Sequence, residues 1–156
     1  AHVAALVSQR PAFFLYLAQE VLAYKPPVGL LGRILRAGEA GGQFNVKDAV
    51  APLVAATRLY ALREGVEATN TVERLAGLLE AGAVSQGSHD ETLAAHTTLT
   101  RLRLEHQAAA IDAGQPPDNS ISRRRLAPTE EALLNQALIQ IAAVQERVGH
   151  DFRSGV

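Results

Sequence analysis

The chain has 156 residues, with 15 Lys+Arg against 16 Asp+Glu, a net charge of −1 and 47% hydrophobic residues. That length suits one domain burying roughly 70% of its unfolded surface, and the balanced charge argues against a polyanion-binding surface covering the whole molecule. The chain contains no Cys, which excludes disulfides, thiolate zinc sites and a Cys nucleophile, and no apolar run approaches the roughly 18 residues of a membrane span.

Ala and Leu dominate and β-branched residues are sparse, so summed propensity favours helix along most of the chain. The expectation is an all-α bundle of about five helices in a single domain. The chain opens on Ala1-His2-Val3, already inside a helical pattern and without an initiator Met, which reads as a fragment of a longer protein. No secretory signal precedes the first apolar stretch, and the expected location is cytoplasmic.

The first helical pattern runs from about Val3 to Tyr24, with a break near Ser8-Gln9-Arg10 that places Pro11 in the first turn of the next helix. Phe14, Leu17, Val21 and Leu22 form its apolar stripe, and Pro26-Pro27 ends it. Residues 28–46 are rich in glycine and predict either a short hairpin around Gly38-Glu39-Ala40-Gly41-Gly42 or an irregular loop. From Lys47 the helical period returns through Val50, Leu53, Val54, Thr57 and Ala61, with Gly65 as the C-terminal stop. Asn70 or Thr71 caps the next helix, which carries Val72, Leu75, Leu78 and Leu79 and stops at Gly82. Ser88-His89-Asp90-Glu91 has capping-box spacing and opens a helix reaching about Ala113, with Gly114 ending it. A polar loop spans residues 115–127 and holds Arg123-Arg124-Arg125, whose expected state is solvated. Pro128 then opens a last helix with Leu134, Leu138, Ile141, Val144 and Val148 inward.

On a wheel, the helix from Thr92 to Ala113 places Ala95, Leu99, Leu102, His106 and Ala109 on one face. Leu93, Thr97, Leu104, Ala108 and Ile111 fall on the opposite face, which predicts a central helix buried on two sides. Two polar strips lie between. Arg101 and Glu105 form an i,i+4 pair on one, while His96, Arg103 and Gln107 lie on the other, at whose edge His106 stands. Such groups either pair within the core or face a cleft as a cationic lip for phosphate or carboxylate.

Other chemistry signals are weak. The five histidines are scattered without metal-ligand spacing, and no nucleophile elbow occurs. Arg101 and His106 satisfy the R-x4-H spacing of a group of helical ribonucleases, but at 100° per residue they point about 140° apart. Aromatic residues are too few to stack bases beside the arginine run, so nucleic acid is not an expected partner.

Several segments, in order, resemble one family. They are Pro26-Pro27-x-Gly29-Leu30-Leu31-Gly32-Arg33, Asn45-Val46-Lys47, Ala51-Pro52-Leu53-Val54, and Ala56-Thr57-Arg58-Leu59-Tyr60-Ala61-Leu62. Ala68-Thr69-Asn70-Thr71-Val72-Glu73-Arg74-Leu75, Leu102-Arg103-Leu104-Glu105-His106-Gln107 and Gly114-Gln115-Pro116-Pro117-Asp118-Asn119 complete the set. Together they resemble, over residues 10–148, the nucleotidyltransferase substrate-binding domain that follows a catalytic domain in bacterial signalling proteins carrying CBS domains. The family is similar to helical portions of PII uridylyltransferase and glutamine synthetase adenylyltransferase.

The resemblance implies a substrate-binding helical domain whose catalytic Gly-Ser motif and metal-binding aspartates belong to another domain. Gly87-Ser88 is the only Gly-Ser pair in the chain and is followed by His89-Asp90-Glu91, not by the catalytic pattern. The chain is therefore expected to supply no catalytic residue and no metal ligand, and to catalyse nothing alone. Magnesium and a nucleoside triphosphate are expected cofactors of the full-length protein. The substrate-binding candidates are Arg103, His106, Gln107, Arg101 and His96 from the wheel, with Asn45, Lys47, Arg58 and Asn70 from the matching segments. Relatives often carry Asp where Asn45 stands. The implied partners are the nucleotidyltransferase domain, a protein substrate and a second copy of the chain, with no membrane. The alternative is a regulatory module that relays signals or dimerises.

Overall fold

The computed structural model describes residues 11–24 and 43–153, and within them the helices begin and end where capping chemistry allows. Helix α1 (Pro11–Ala23) starts on the proline, whose missing N–H is spared in a first turn, and buries Phe14, Ala18 and Val21. Helix α2 (Val46–Glu64) is capped by Asn45, whose extended backbone lets its side chain accept from the Lys47 and Asp48 amides. It ends at Gly65, held at φ 73°, a conformation that costs glycine nothing. Pro52 sits inside α2, fully buried, and removes one backbone donor from the helix.

Helix α3 (Thr71–Glu80) is capped by Asn70, which accepts from the Glu73 amide. Helix α4 (Gln86–Asp112) starts earlier than its apparent capping box. Ser85, extended at φ −74° and ψ 158°, accepts from the Ser88 amide, so Ser88 is already helical and Glu91 lies a turn and more inside. Helix α5 (Pro128–Arg153) opens on proline with Glu130 and Glu131 in its first turn, where carboxylates favour the positive helix end. Five α-helices are present among the described residues, as expected for an all-α bundle.

The strand content differs from expectation. Strand β1 (Gln43–Asn45) pairs antiparallel with β2 (Ser120–Ser122), placing Phe44 opposite Ile121. The hairpin expected within residues 28–46 is thus corrected on its C-terminal side, where the strand's partner lies far along the chain; residues 28–42 lie outside the described residues. So do Pro26-Pro27 and the helical pattern before Pro11. The expected polar loop of residues 115–127 likewise contains β2 and a 3-10 turn, Arg123–Arg125. Arg123 is half-buried, donating to Asn135 and pairing with Glu131, whereas Arg124 and Arg125 are exposed.

Helix α5 organises the bundle. Arg147 donates to Ser88 and Gln140 to Thr92, so α4 runs antiparallel to α5. Phe14 stacks on Phe152, and Gln145 donates to the Val21 and Tyr24 carbonyls, so α1 also runs antiparallel to α5. Near one end Val46, Leu53, Leu99, Leu102, Ile121, Leu134 and Leu138 form one cluster. Near the other Phe14, Val21, Leu59, Tyr60, Leu78 and Val148 form a second, and Val144 touches both. Each fully buried leucine here contributes about 2 kcal/mol of transfer free energy. Tyr60 donates to Asp151 at 2.8 Å, tying α2 to α5. Burial and then the neighbouring carboxylate push its phenol pKa up.

Helix α4 is not buried on two sides. Thr92, Ala95, Leu99 and Leu102 point inward, while Thr97, Leu104, Ala108 and Ile111 are exposed and Leu93 is half-buried. The bundle leaves α4 on its outside, so most of its second apolar face stays exposed.

One close approach generates a prediction. Gly77 lies inside α3, and a Cβ there would stand 2.6 Å from the Val66 Cγ1. In an open helix Gly→Ala stabilises by about 1 kcal/mol. Gly77→Ala is expected to destabilise instead, and the sign should revert in a Val66→Ala background. Urea denaturation of the four variants measures both effects.

Candidate functional site

The end of α4 and the connection that follows it build one polar junction. Helix α4 closes at Gly114, whose φ of 67° turns the chain back, and Pro116-Pro117 hold the next residues out of helix. Asp118 then makes a local turn, accepting from the Ser120 amide at 2.9 Å. The Val46 amide donates to the Asn119 carbonyl at 2.9 Å, so the start of α2 and this connection are joined. Ser120 Oγ donates to Gln43 Oε1 across the ribbon at 3.0 Å.

Three α4 side chains reach this junction. Arg103 Nε donates to Asn119 Oδ1 at 2.8 Å, and Gln107 Nε2 donates to the same oxygen at 3.3 Å. His106 Nε2 lies 2.6 Å from Asp118 Oδ1. The bonds from His106, and then from the Ser120 amide, hold the Asp118 carboxyl below its ordinary value. His106 is therefore not a core residue bonded to a neighbouring helix; it reaches outward to a loop that helix-wheel geometry cannot place.

The remaining candidates divide. Asn45 and Lys47 flank Val46 and so stand beside the junction; Asn45 is spent as the α2 cap and Lys47 is exposed. A carboxylate at position 45 would cap the helix equally well, so the Asn there preserves the local structure. Arg101 points away and meets Glu105 at 3.5 Å, an exposed i,i+4 pair worth about 0.3–0.5 kcal/mol. Arg101 and His106 do not share a site. His96 lies nearly three turns before His106, half-buried, where loss of solvation lowers its imidazole pKa. Arg58 is exposed on α2, and Asn70 caps α3; neither reaches the junction's hydrogen bonds.

Asp118 and Asn119 were missing from the site candidates. Their sequence signal was available, because an Asx pair following Pro-Pro forms turns whose side chains seek donors. Which donors they meet depends on α4 being laid beside them. Among the described residues no group of three or more His, Asp and Glu could hold a metal ion. No described helix is long and apolar enough to cross a membrane.

No curated protein and no solved structure matches the chain significantly. One family model does, across residues 11–152, nearly the whole of what the structure describes and the same span that carries the ordered segments. The chain belongs to the family described as “Putative nucleotidyltransferase substrate binding domain”.

Proposed function

We propose that this chain is the substrate-binding helical part of a nucleotidyltransferase acting in signal transduction, similar in role to the helical portions of PII uridylyltransferase. Transfer itself is assigned to a catalytic domain outside this sequence, which would bring magnesium and hold the reacting phosphate of a nucleoside triphosphate. One observation supports this reading above others. Three separated family-like segments meet at one junction: Asn45-Val46-Lys47, Leu102 to Gln107, and Pro116 to Asn119. A junction built from them places one guanidinium, one imidazole and one exposed lysine at the same end of the bundle. Arg and Lys in that setting suit a phosphorylated substrate. A cytoplasmic, bacterial setting with CBS-type regulation accompanies the reading.

The alternative, a regulatory interaction module, draws on a different feature. A groove of about 550 Å³ between α4 and α5 is lined by Ala94, Thr98, Leu133 and Ile139, and Ile139 is 54% exposed. An apolar surface of that kind suits a protein partner, including a second copy.

Two measurements test the substrate-binding reading. In a protein carrying both this chain and its catalytic domain, Arg103→Ala should lower nucleotidyl transfer at least about tenfold, equivalent to ~1.4 kcal/mol. Its loss of stability should stay near the ~1 kcal/mol of one hydrogen bond. Arg101→Ala should change transfer less, because Glu105 already meets that cation. Unfolding of Arg103→Ala with undiminished activity in the folded fraction would make the strip structural. Secondly, calorimetric titration of this chain with ATP or UTP and magnesium should show binding weaker than micromolar. Micromolar affinity would overturn the assigned division of labour.

A further inference from the structure

Arg103, like Arg74 on the Ala68 carbonyl and Arg147 on the Ser88 hydroxyl, is tethered to a neutral acceptor, unlike three other arginines. Arg63 meets Glu64, Arg101 meets Glu105, and Arg123 meets Glu131, so each of those cations faces a carboxylate. Arg103 is held by the neutral carboxamide of Asn119, through Nε alone. Asn119 Oδ1 is itself committed twice, to Arg103 and Gln107, and its backbone carbonyl is bonded to the Val46 amide. The acceptor is therefore fixed in place. The nearest acid along the connection, Asp118, is engaged by His106 and the Ser120 amide. No carboxylate pairs with Arg103 among the described residues.

That arrangement has two consequences. Fixing Nε restricts the guanidinium plane, so the entropy of ordering this long side chain is already spent before a ligand arrives. The two terminal Nη groups make no hydrogen bond among the described residues, which leaves their parallel N–H pair for a two-oxygen acceptor. A carboxylate in place of Asn119 would hold the arginine more strongly but would cancel its charge. An amide orients the cation and leaves it positive.

Resting on the nucleotidyl-transfer reading, we infer that Asn119 is a positioning residue that presents Arg103 Nη1 and Nη2 to a phosphoryl group of the substrate. Lys47, exposed and one residue beyond the Val46 amide that bonds Asn119, adds a second cation at this end of the bundle. Two cations match the charge of a diphosphate better than that of a single carboxylate. Gln107 serves the same end by sharing the Asn119 oxygen and fixing its orientation.

The variant that separates orientation from charge is Asn119→Asp. It keeps an acceptor for Arg103 Nε and Gln107, and charge-assisted bonds are roughly twice as strong as neutral ones, so the melting temperature should hold or rise. The probe is inorganic pyrophosphate, titrated into the 156-residue chain at constant ionic strength, with the Arg103 Nε–Hε resonance followed by NMR. Acetate, adenosine and ATP form parallel arms. The expected result is a saturable shift with a dissociation constant on the order of 1 mM for pyrophosphate and ATP, with none for acetate or adenosine. Asn119→Asp should weaken it at least tenfold without loss of stability, and Arg103→Lys should weaken it because the planar fork is gone. An unchanged pyrophosphate response in Asn119→Asp, an equal response to acetate, or none in the parent chain would overturn the inference. These outcomes are independent of nucleotidyl transfer, so a phosphoryl site without effect on transfer would count against the proposed function alone.

Discussion

The hydrogen bond from the Val46 amide to the Asn119 carbonyl joins the first turn of α2 to the connection between α4 and α5. Much of the bundle's one end hangs on it. The bond extends the β1–β2 ribbon by one step and keeps Phe44 opposite Ile121, and Ile121 enters the same cluster as Leu53, Leu99 and Leu134. A three-residue ribbon has little stability by itself. It persists because Ile121 is buried and because Asn119 is held from the other side by α4.

That second hold carries the chemistry. The oxygen that receives Arg103 and Gln107 belongs to the residue whose carbonyl fixes α2, so the position of the guanidinium is coupled to the packing of three elements. His106 and Asp118 brace the same connection one residue earlier. A side chain positioned this way needs little reorganisation on binding, which is how a modest number of polar contacts gains selectivity.

Capping chemistry was readable directly. Asn70 and Gly65 act as their residue types require, and Pro11 and Pro128 open helices as prolines do. Ser88 misled because Ser85, three residues earlier, is an equally good cap and the preceding turn delivers it in extended backbone. The wheel of α4 identified the inward face correctly through Ala95, Leu99 and Leu102. It also marked Leu104 and Ile111 as buried, although they are 60% exposed. Apolarity of a face is local, whereas the presence of a neighbour to cover it is a property of the whole packing. Asn45 illustrates the same divide within the site: the family-like segment around it suggested a ligand contact, and its backbone position made it a cap.

Helical class, most element ends and the polar strip carrying Arg103, His106 and Gln107 are legible from local sequence alone. These follow from the 3.6-residue repeat and from backbone groups that nearby side chains can satisfy. Long-range packing, by contrast, pairs residues 43–45 with residues 120–122 and brings Asn119 to Arg103 sixteen positions away. Pairing across such distances is set by which surfaces the helices bring together, and three-residue strands contain too little pattern to specify a partner.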